Sequence, residues 1–302
     1  MGRITKLMFA GIVHPFTKWA LIVVAVLLFT VTTYLILSHF HPDFTKTETL
    51  KQLISDFNFS DFLLFAVVGF LAQMVDGSLG MAYGISSTTF LLSLGLPPAS
   101  ASASVHAAEV VTSGASGLSH LKFKNVNKKL FRLLVVPGVI GAITGAYILS
   151  SVDGKIFKPY IAAYLMIMGL VVVYKALQKN IVKKKTKNLG PLAFAGGLLD
   201  AIGGGGWGPV VVSSLLTDGR NPRYTIGSVN LAEFFISLAG ASTFTFLLGI
   251  DNWIVVVGLM TGGVFASPFA AYLCQKVNNR TLMLIVGFVI ILLSLRTLMI
   301  SF

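Results

Sequence analysis

The chain has 302 residues, of which 55% are hydrophobic and only 11% are charged, a composition too apolar for a soluble domain. Its net charge of +12 would suit a nucleic-acid-binding protein, but the basic residues lie in short loops between apolar runs, where they orient a membrane protein. We therefore predict a polytopic membrane protein without a nucleic-acid partner. The single cysteine, Cys274, offers neither a disulfide nor a cysteine metal site, and we expect no metal and no cofactor.

The first apolar run extends from Trp19 to Leu37 and follows three basic residues. It is long for a signal peptide and lacks a small-residue cleavage site, so we expect a retained transmembrane helix with a cytoplasmic N-terminus. The lysine-rich loops 122–132 and 175–187 are expected in the cytoplasm. Loops 151–157 and 249–252 carry little positive charge and are expected outside.

The remaining chain contains an internal repeat. The sequence SVHAAE at 104–109 matches SVNLAE at 228–233, which lies 124 positions later. Upstream, GFLAQMVDGSLGMAYG at 69–84 is similar to GGLLDAIGGGGWGP at 196–209, in a register that the letters fix only approximately. Two half-length copies are therefore predicted.

Each copy predicts two short apolar helices broken by glycines, one long helix of small residues, and two ordinary spans. The predicted helices are 61–74, 80–95, 99–121, 131–150 and 158–178 in the first copy, and 190–203, 207–217, 224–248, 253–273 and 280–300 in the second. The predicted domains are the N-terminal helix with an external loop (1–60), repeat 1 (61–178), a basic cytoplasmic linker (179–189) and repeat 2 (190–302). Because the first copy begins outside and the second inside, the repeats are predicted to be inverted. The fold class is thus an all-α polytopic membrane protein with two inverted repeats, glycine-broken re-entrant or half helices, and one extra N-terminal helix.

Inverted repeats with interrupted helices are typical of secondary transporters, which bind their substrate near the bilayer midplane. The N–H groups freed at such a break, together with the positive end of the helix dipole, can bind an anion without a buried lysine. Close packing of helices is the alternative explanation of the glycines. The predicted substrate-binding residues are Gly77, Ser78, Gly80, Gly203, Gly204, Gly205, Gly206, Trp207 and Asn230.

Four of the 11 acidic residues lie within apolar segments, where a carboxylate has to be protonated or paired. The residues predicted to couple protons or balance charge are Asp76, His106, Glu109, Asp200 and Glu233. His106 lies one helical turn before Glu109, whereas Asn230 takes the corresponding place in the second copy, so the titratable histidine is not duplicated. Capping of a broken helix is the alternative role for both glutamates.

These motifs, together with GLSH at 117–120 and NPRYTIGS at 221–228, resemble those of the TauE/SafE sulfite exporter family over about residues 61–300. The resemblance implies a multi-pass permease of the inner (plasma) membrane that carries a small sulfur-containing anion, such as sulfite or an organosulfonate. It also implies proton coupling and export. The expected partners are that anion, protons and the lipid bilayer, and no enzymatic activity is expected. No oligomeric state is predicted.

Two other functions fit the same residues. A passive anion channel lined by helix ends would conduct without regard to a proton gradient. An intramembrane protease would use Ser116 in GASG, or Asp76 with Asp200. The histidines near that serine lie on its own helix, neither aspartate follows GxG, and packing of small residues explains GASG better.

Overall fold

The computed structural model describes residues 57–79, 81–122, 124–178, 188–217, 220–249, 252–273 and 279–301, and the regular structure in these ranges is helical. The helices are α1 (Phe59–Leu79), α2 (Tyr83–Ser93), α3 (Pro98–Lys122), α4 (Lys128–Ser151), α5 (Gly154–Leu177), α6 (Leu189–Gly203), a π-helical turn (Gly208–Val212) continued by α7 (Ser213–Thr217), α8 (Pro222–Leu248), α9 (Trp253–Leu273) and α10 (Asn279–Ser301). The predicted helix at 19–37 lies outside the described residues.

Apolar length makes several of these helices candidates for crossing a membrane. Within the described ranges, five are long and apolar enough, namely α1, α4, α5, α8 and α10. Helix α6 is shorter and apolar, as expected for half of a broken pair. The prediction of an all-helical protein with several candidate membrane spans is therefore confirmed for the described part of the chain.

The second glycine-rich segment interrupts the helices as predicted. Helix α6 ends at Gly203, and Gly204 follows with a φ of 63°, a left-handed conformation that favours glycine. The chain turns over Gly205 and Gly206 and resumes as a helix through the π-helical turn. The first pair is separated more briefly, at Met81 and Ala82.

The two halves of the described chain are intertwined. The most extensive interfaces pair α1 with α9, α4 with α6, α3 with α8, and α5 with α10, so each joins one predicted repeat to the other. When each helix is replaced by its counterpart in the other predicted repeat, the α1–α9 pair becomes the α6–α4 pair. The α3–α8 and α5–α10 pairs remain the same. The contacts therefore have an approximate twofold character.

Glycines allow two of these interfaces to be close. A Cβ atom on Gly262 of α9 would overlap the carbonyl oxygen of Ala66 in α1. A Cβ atom on Gly197 of α6 would likewise overlap the carbonyl oxygen of Gly138 in α4. At these positions glycine serves helix packing, the alternative that the sequence left open.

Candidate functional site

The two broken segments meet each other. A Cβ atom on Gly84, at the start of α2, would lie 2.7 Å from the Cα of Gly205 and 2.8 Å from the carbonyl oxygen of Gly204. Thr88 Oγ1 donates to the Gly204 carbonyl at 2.6 Å, and Tyr164 Oη donates to the Gly205 carbonyl at 3.3 Å. Side chains of α2 and α5 therefore satisfy carbonyl groups that the break removes from helical hydrogen bonding.

Asp200 binds the N–H groups on the other side of the same break. Its Oδ1 accepts hydrogen bonds from the backbone N–H of Gly206 at 2.7 Å and of Trp207 at 2.9 Å, and its carbonyl oxygen accepts from Gly205 at 3.0 Å. Only 2% of Asp200 is exposed. A carboxylate of the chain itself thus occupies the donors that the sequence assigned to a substrate anion.

Asp76 bears the same relation to the first break. Its Oδ1 accepts a hydrogen bond at 3.4 Å from the N–H of Tyr83, seven residues later, as that of Asp200 does from Trp207. Asp200 and Trp207 follow Asp76 and Tyr83 by 124 positions each. The hydrogen bonds therefore establish a correspondence that the sequence alone gave only approximately. The bond of Asp76 is single and long, whereas Asp200 binds two amides closely.

His106 lies on α3 and faces Asp200. Its Nδ1 is 2.9 Å from the carbonyl oxygen of Ser102, which can only accept, so Nδ1 carries a hydrogen. Its Nε2 lies 3.3 Å from Oδ2 of Asp200, and both atoms are buried without another hydrogen-bond partner. A bare Nε2 and a carboxylate oxygen would repel each other. A proton on either group would make this contact attractive, as an imidazolium–carboxylate pair or as an imidazole with a carboxylic acid.

Helix α8 of the other repeat surrounds the imidazole of His106. Phe244 contacts the ring edge-on with a centroid distance of 5.9 Å. A Cβ atom on Gly240 would lie 2.7 Å from Cδ2 of His106, so the absence of a side chain there leaves space for the ring. The His106 side chain is therefore held in a single packed position facing Asp200.

Glu109 completes a buried cluster with His106 and Asp200. Only 4% of it is exposed, and its Oε2 accepts a hydrogen bond from Ser237 Oγ at 3.2 Å. A carboxylate oxygen of Glu109, a ring nitrogen of His106 and a carboxylate oxygen of Asp200 lie within 4.8 Å of one another. By the type and spacing of its ligand atoms, such a group can also coordinate a cation. The arrangement suits the transfer of protons between neighbouring groups.

The corresponding residues of the second copy have different surroundings. Asn230 donates from Nδ2 to Ser116 Oγ at 2.9 Å, so the serine of the protease-like pattern is bound to an amide. Glu233 is half-buried on α8 and interacts electrostatically with the other three acidic residues of the apolar segments. The duplicated glutamates are therefore not in equivalent sites.

The other predicted site residues contribute less to this cluster. Trp207 is fully buried, and its indole Nε1 donates to the Val229 carbonyl at 3.3 Å, so its side chain packs in the protein interior. Gly77 and Ser78 lie in the last turn of α1, where only the backbone is described, and Gly80 is outside the described residues. Substrate binding by these residues stays a prediction.

The sequence missed two hydroxyl groups that bind the cluster. Ser102 Oγ lies 3.4 Å from His106 Nδ1, and the two residues are four positions apart, a spacing that places both on one face of α3 and gives a usable signal. Ser237 reaches Glu109 from 128 positions away, and no local pattern indicates such a contact.

The chain is similar to known membrane proteins. A family model described as "Sulfite exporter TauE/SafE" matches residues 65–297. The probable membrane transporter protein YtnM of Bacillus subtilis (strain 168) is 47% identical over 246 residues, covering 78% of this chain and 82% of the relative. The probable membrane transporter protein YunE of the same organism is 22% identical over 261 residues, or 77% and 96% of the two chains. No solved structure matches. The chain belongs to the sulfite exporter TauE/SafE family of transmembrane transporters.

Proposed function

We propose that the protein is a proton-coupled secondary transporter that exports a small sulfur-containing anion, such as sulfite or an organosulfonate, across the inner (plasma) membrane. The observation that carries the proposal is the buried contact of His106 Nε2 with Asp200 Oδ2 at 3.3 Å, next to Glu109, where the two broken segments meet. Ionisable groups inside a membrane protein are costly and mark transport pathways by default. The family description supports the class of anion and the direction.

The charge of the region supports coupling to protons. Glu109 interacts electrostatically with Asp200, His106 and Asp76, and Glu233 with all three other acids. Asp76 and Glu109 lie in the segment 52–121 and Asp200 lies in the segment 188–219, and neither segment contains lysine or arginine. Ionised carboxylates would repel an incoming anion, and the repulsion is stronger in an apolar medium than in water. An anion can therefore approach only when protons neutralise part of the cluster.

The fold supports alternating access. The main interfaces map onto one another when each helix is replaced by its counterpart in the other half, and each half carries a break followed by a helix with a glutamate that is buried (Glu109) or half-buried (Glu233). We propose that the halves are inverted, so that their breaks reach the midplane from opposite sides of the bilayer, with the N-terminus in the cytoplasm. Movement of one half against the other would then expose the cluster to each side in turn.

Transport by the purified protein in proteoliposomes tests the proposal. We expect accumulation of labelled sulfite, sulfate, thiosulfate or a small sulfonate that depends on an imposed pH gradient and disappears with a protonophore. Replacement of His106 by Asn, the residue at the corresponding position of the second copy, removes the titratable group that faces Asp200 and should abolish the dependence on the gradient. Flux that ignores the gradient would instead indicate a passive anion channel. Protein-free liposomes are the control, and the absence of transport for all four anions would contradict the proposed substrate class.

A further inference from the structure

We infer that Asp200 is an internal substitute for the transported anion. When an anion binds, it takes the N–H groups of Gly206 and Trp207 in place of the Asp200 carboxylate, and Asp200 leaves them as a neutral carboxylic acid. This inference rests on the proposed function and assigns the place where the anion binds.

The donors bound by Asp200 have the chemistry of an oxyanion site. The N–H groups of Gly206 and Trp207 precede a continuous helical stretch, 208–217, and converge on a single oxygen, Oδ1, at 2.7 and 2.9 Å. Oxygens of sulfite or a sulfonate can accept the same two hydrogen bonds. With Asp200 ionised, the two amides bind one negative charge, and neither of these hydrogen bonds comes from a lysine or arginine.

The unpaired atoms beside these donors supply the means of release. Oδ2 of Asp200 and Nε2 of His106 are buried, have no other hydrogen-bond partner and lie 3.3 Å apart. In the resting state that we propose, the proton is on Nε2, and its transfer to Oδ2 breaks the N–H bond, forms an O–H bond and leaves a neutral imidazole. The carboxylic acid is a weaker acceptor than the carboxylate, so the two amides become available to the anion. The amides thus hold one negative charge before and after the exchange.

Packing around the amides explains why Asp200 has to move. A Cβ atom on Gly206 would lie 2.5 Å from Tyr164 Oη and 3.1 Å from the backbone nitrogen of Asp200, so the position is closely surrounded. Lys175 donates from Nζ to the carbonyl of Pro209 at 3.1 Å, on the helical stretch that follows. An anion can reach the amides only if the Asp200 side chain vacates its place. The described conformation is therefore one in which the chain's own carboxylate fills the site.

Infrared difference spectra of the protein in membranes test the exchange. Thiosulfate and methanesulfonate are suitable probes because they do not titrate near neutral pH, whereas sulfite does. On addition of either anion, we expect loss of a carboxylate band and gain of a carboxylic-acid C=O band that shifts with carbon-13 labelling of aspartate. Asp200→Asn should remove the new band, because the amide keeps an acceptor oxygen but cannot be protonated to an acid. Asp153→Asn should retain the band, since Asp153 also accepts a backbone N–H bond, at 2.9 Å from Lys155, but lies in an exposed helix cap.

A second variant covers the case in which Asp200→Asn does not fold. Asp200→Glu keeps an acid at this position, and the anion-induced band should then shift with glutamate labelling instead of aspartate labelling. Anion binding by calorimetry without any acid band, or a band that persists in folded Asp200→Asn, would overturn the inference while leaving anion transport intact. Failure of the wild-type protein to bind or transport any of the tested anions would overturn the proposed function itself.

Discussion

Glu109 and Glu233 occupy corresponding positions in the two repeats but have different neighbours. Glu109 is almost fully buried, accepts a hydrogen bond from Ser237 and lies one turn from His106. Glu233 is half-buried and lies one turn from Asn230, which does not titrate. In the proton coupling that we propose, only Glu109 of the two glutamates therefore has a titratable neighbour on its own helix face.

The difference predicts an asymmetric result from matched substitutions. Glu109→Gln should leave anion exchange intact but remove its dependence on pH, because glutamine keeps the shape and hydrogen-bonding capacity of glutamate without titrating. Glu233→Gln should chiefly lower the Tm or weaken anion binding. Transport by reconstituted variants at several internal and external pH values, together with Tm in detergent, separates these outcomes. Full proton-driven accumulation by Glu109→Gln would show that coupling lies elsewhere.

Spacing along one helix made part of the site predictable. The pairing of His106 with Glu109 follows from a separation of one turn. The contact of His106 with Asp200 does not, because it depends on Asp200 being brought from another helix by the packing of α3 against α6. The role of Asp200 at the amides could not be predicted from the sequence. The glycines predict a helix break with free N–H groups, but they do not predict which acceptor the fold brings to those groups.

At the level of elements, the sequence predicted the helices well and their terminal turns less well. The long helix predicted at 99–121 is α3, Pro98–Lys122, and the predicted end at 203 is the end of α6. The first helix was predicted to end at 74 but continues to Leu79, because its turn carrying Gly77 remains helical. The π-helical turn at Gly208–Val212 was not predicted, since no residue pattern distinguishes it from an α-helix.

Comparison of Gly204 with Gly249 separates two roles of glycine, a left-handed backbone conformation and close packing. Both have left-handed φ values, 63° and 80°, but a Cβ atom on Gly204 would overlap Thr88 Oγ1, whereas one on Gly249 would meet nothing within 4 Å. Gly249→Ala should therefore cost only the backbone strain, about 1–2 kcal/mol. Gly204→Ala should cost a further 1–3 kcal/mol, roughly the usual penalty of overpacking. Tm in detergent measures both, and equal shifts would mean that α2 does not pack tightly on the break.

At the level of the whole molecule, the intertwined halves limit how the protein can move. Each of the four main interfaces joins the two repeats, so neither repeat buries its apolar faces alone. In the alternating access that we propose, sliding of the halves along close glycine contacts, such as Gly262 on Ala66, is the expected motion.

The orientation of the halves can be tested at one pair of corresponding positions. Lys128 begins α4, and Asn252, 124 positions later, immediately precedes α9. Inverted repeats place these residues on opposite sides of the membrane, whereas parallel repeats place them on the same side. The basic loop before Lys128 predicts that it is cytoplasmic.

Cysteine labelling in whole cells decides between these arrangements. In a Cys274→Ser background, a membrane-impermeant maleimide should label Asn252→Cys in intact cells, because the loop before α9 is expected outside. Lys128→Cys should react only after permeabilisation. Lys155→Cys serves as a positive control, because Lys155 lies in the segment 151–157 that is predicted to be external. If Asn252→Cys and Lys128→Cys react from the same side, the repeats are not inverted, and the proposal that the two breaks reach the midplane from opposite sides of the bilayer is wrong.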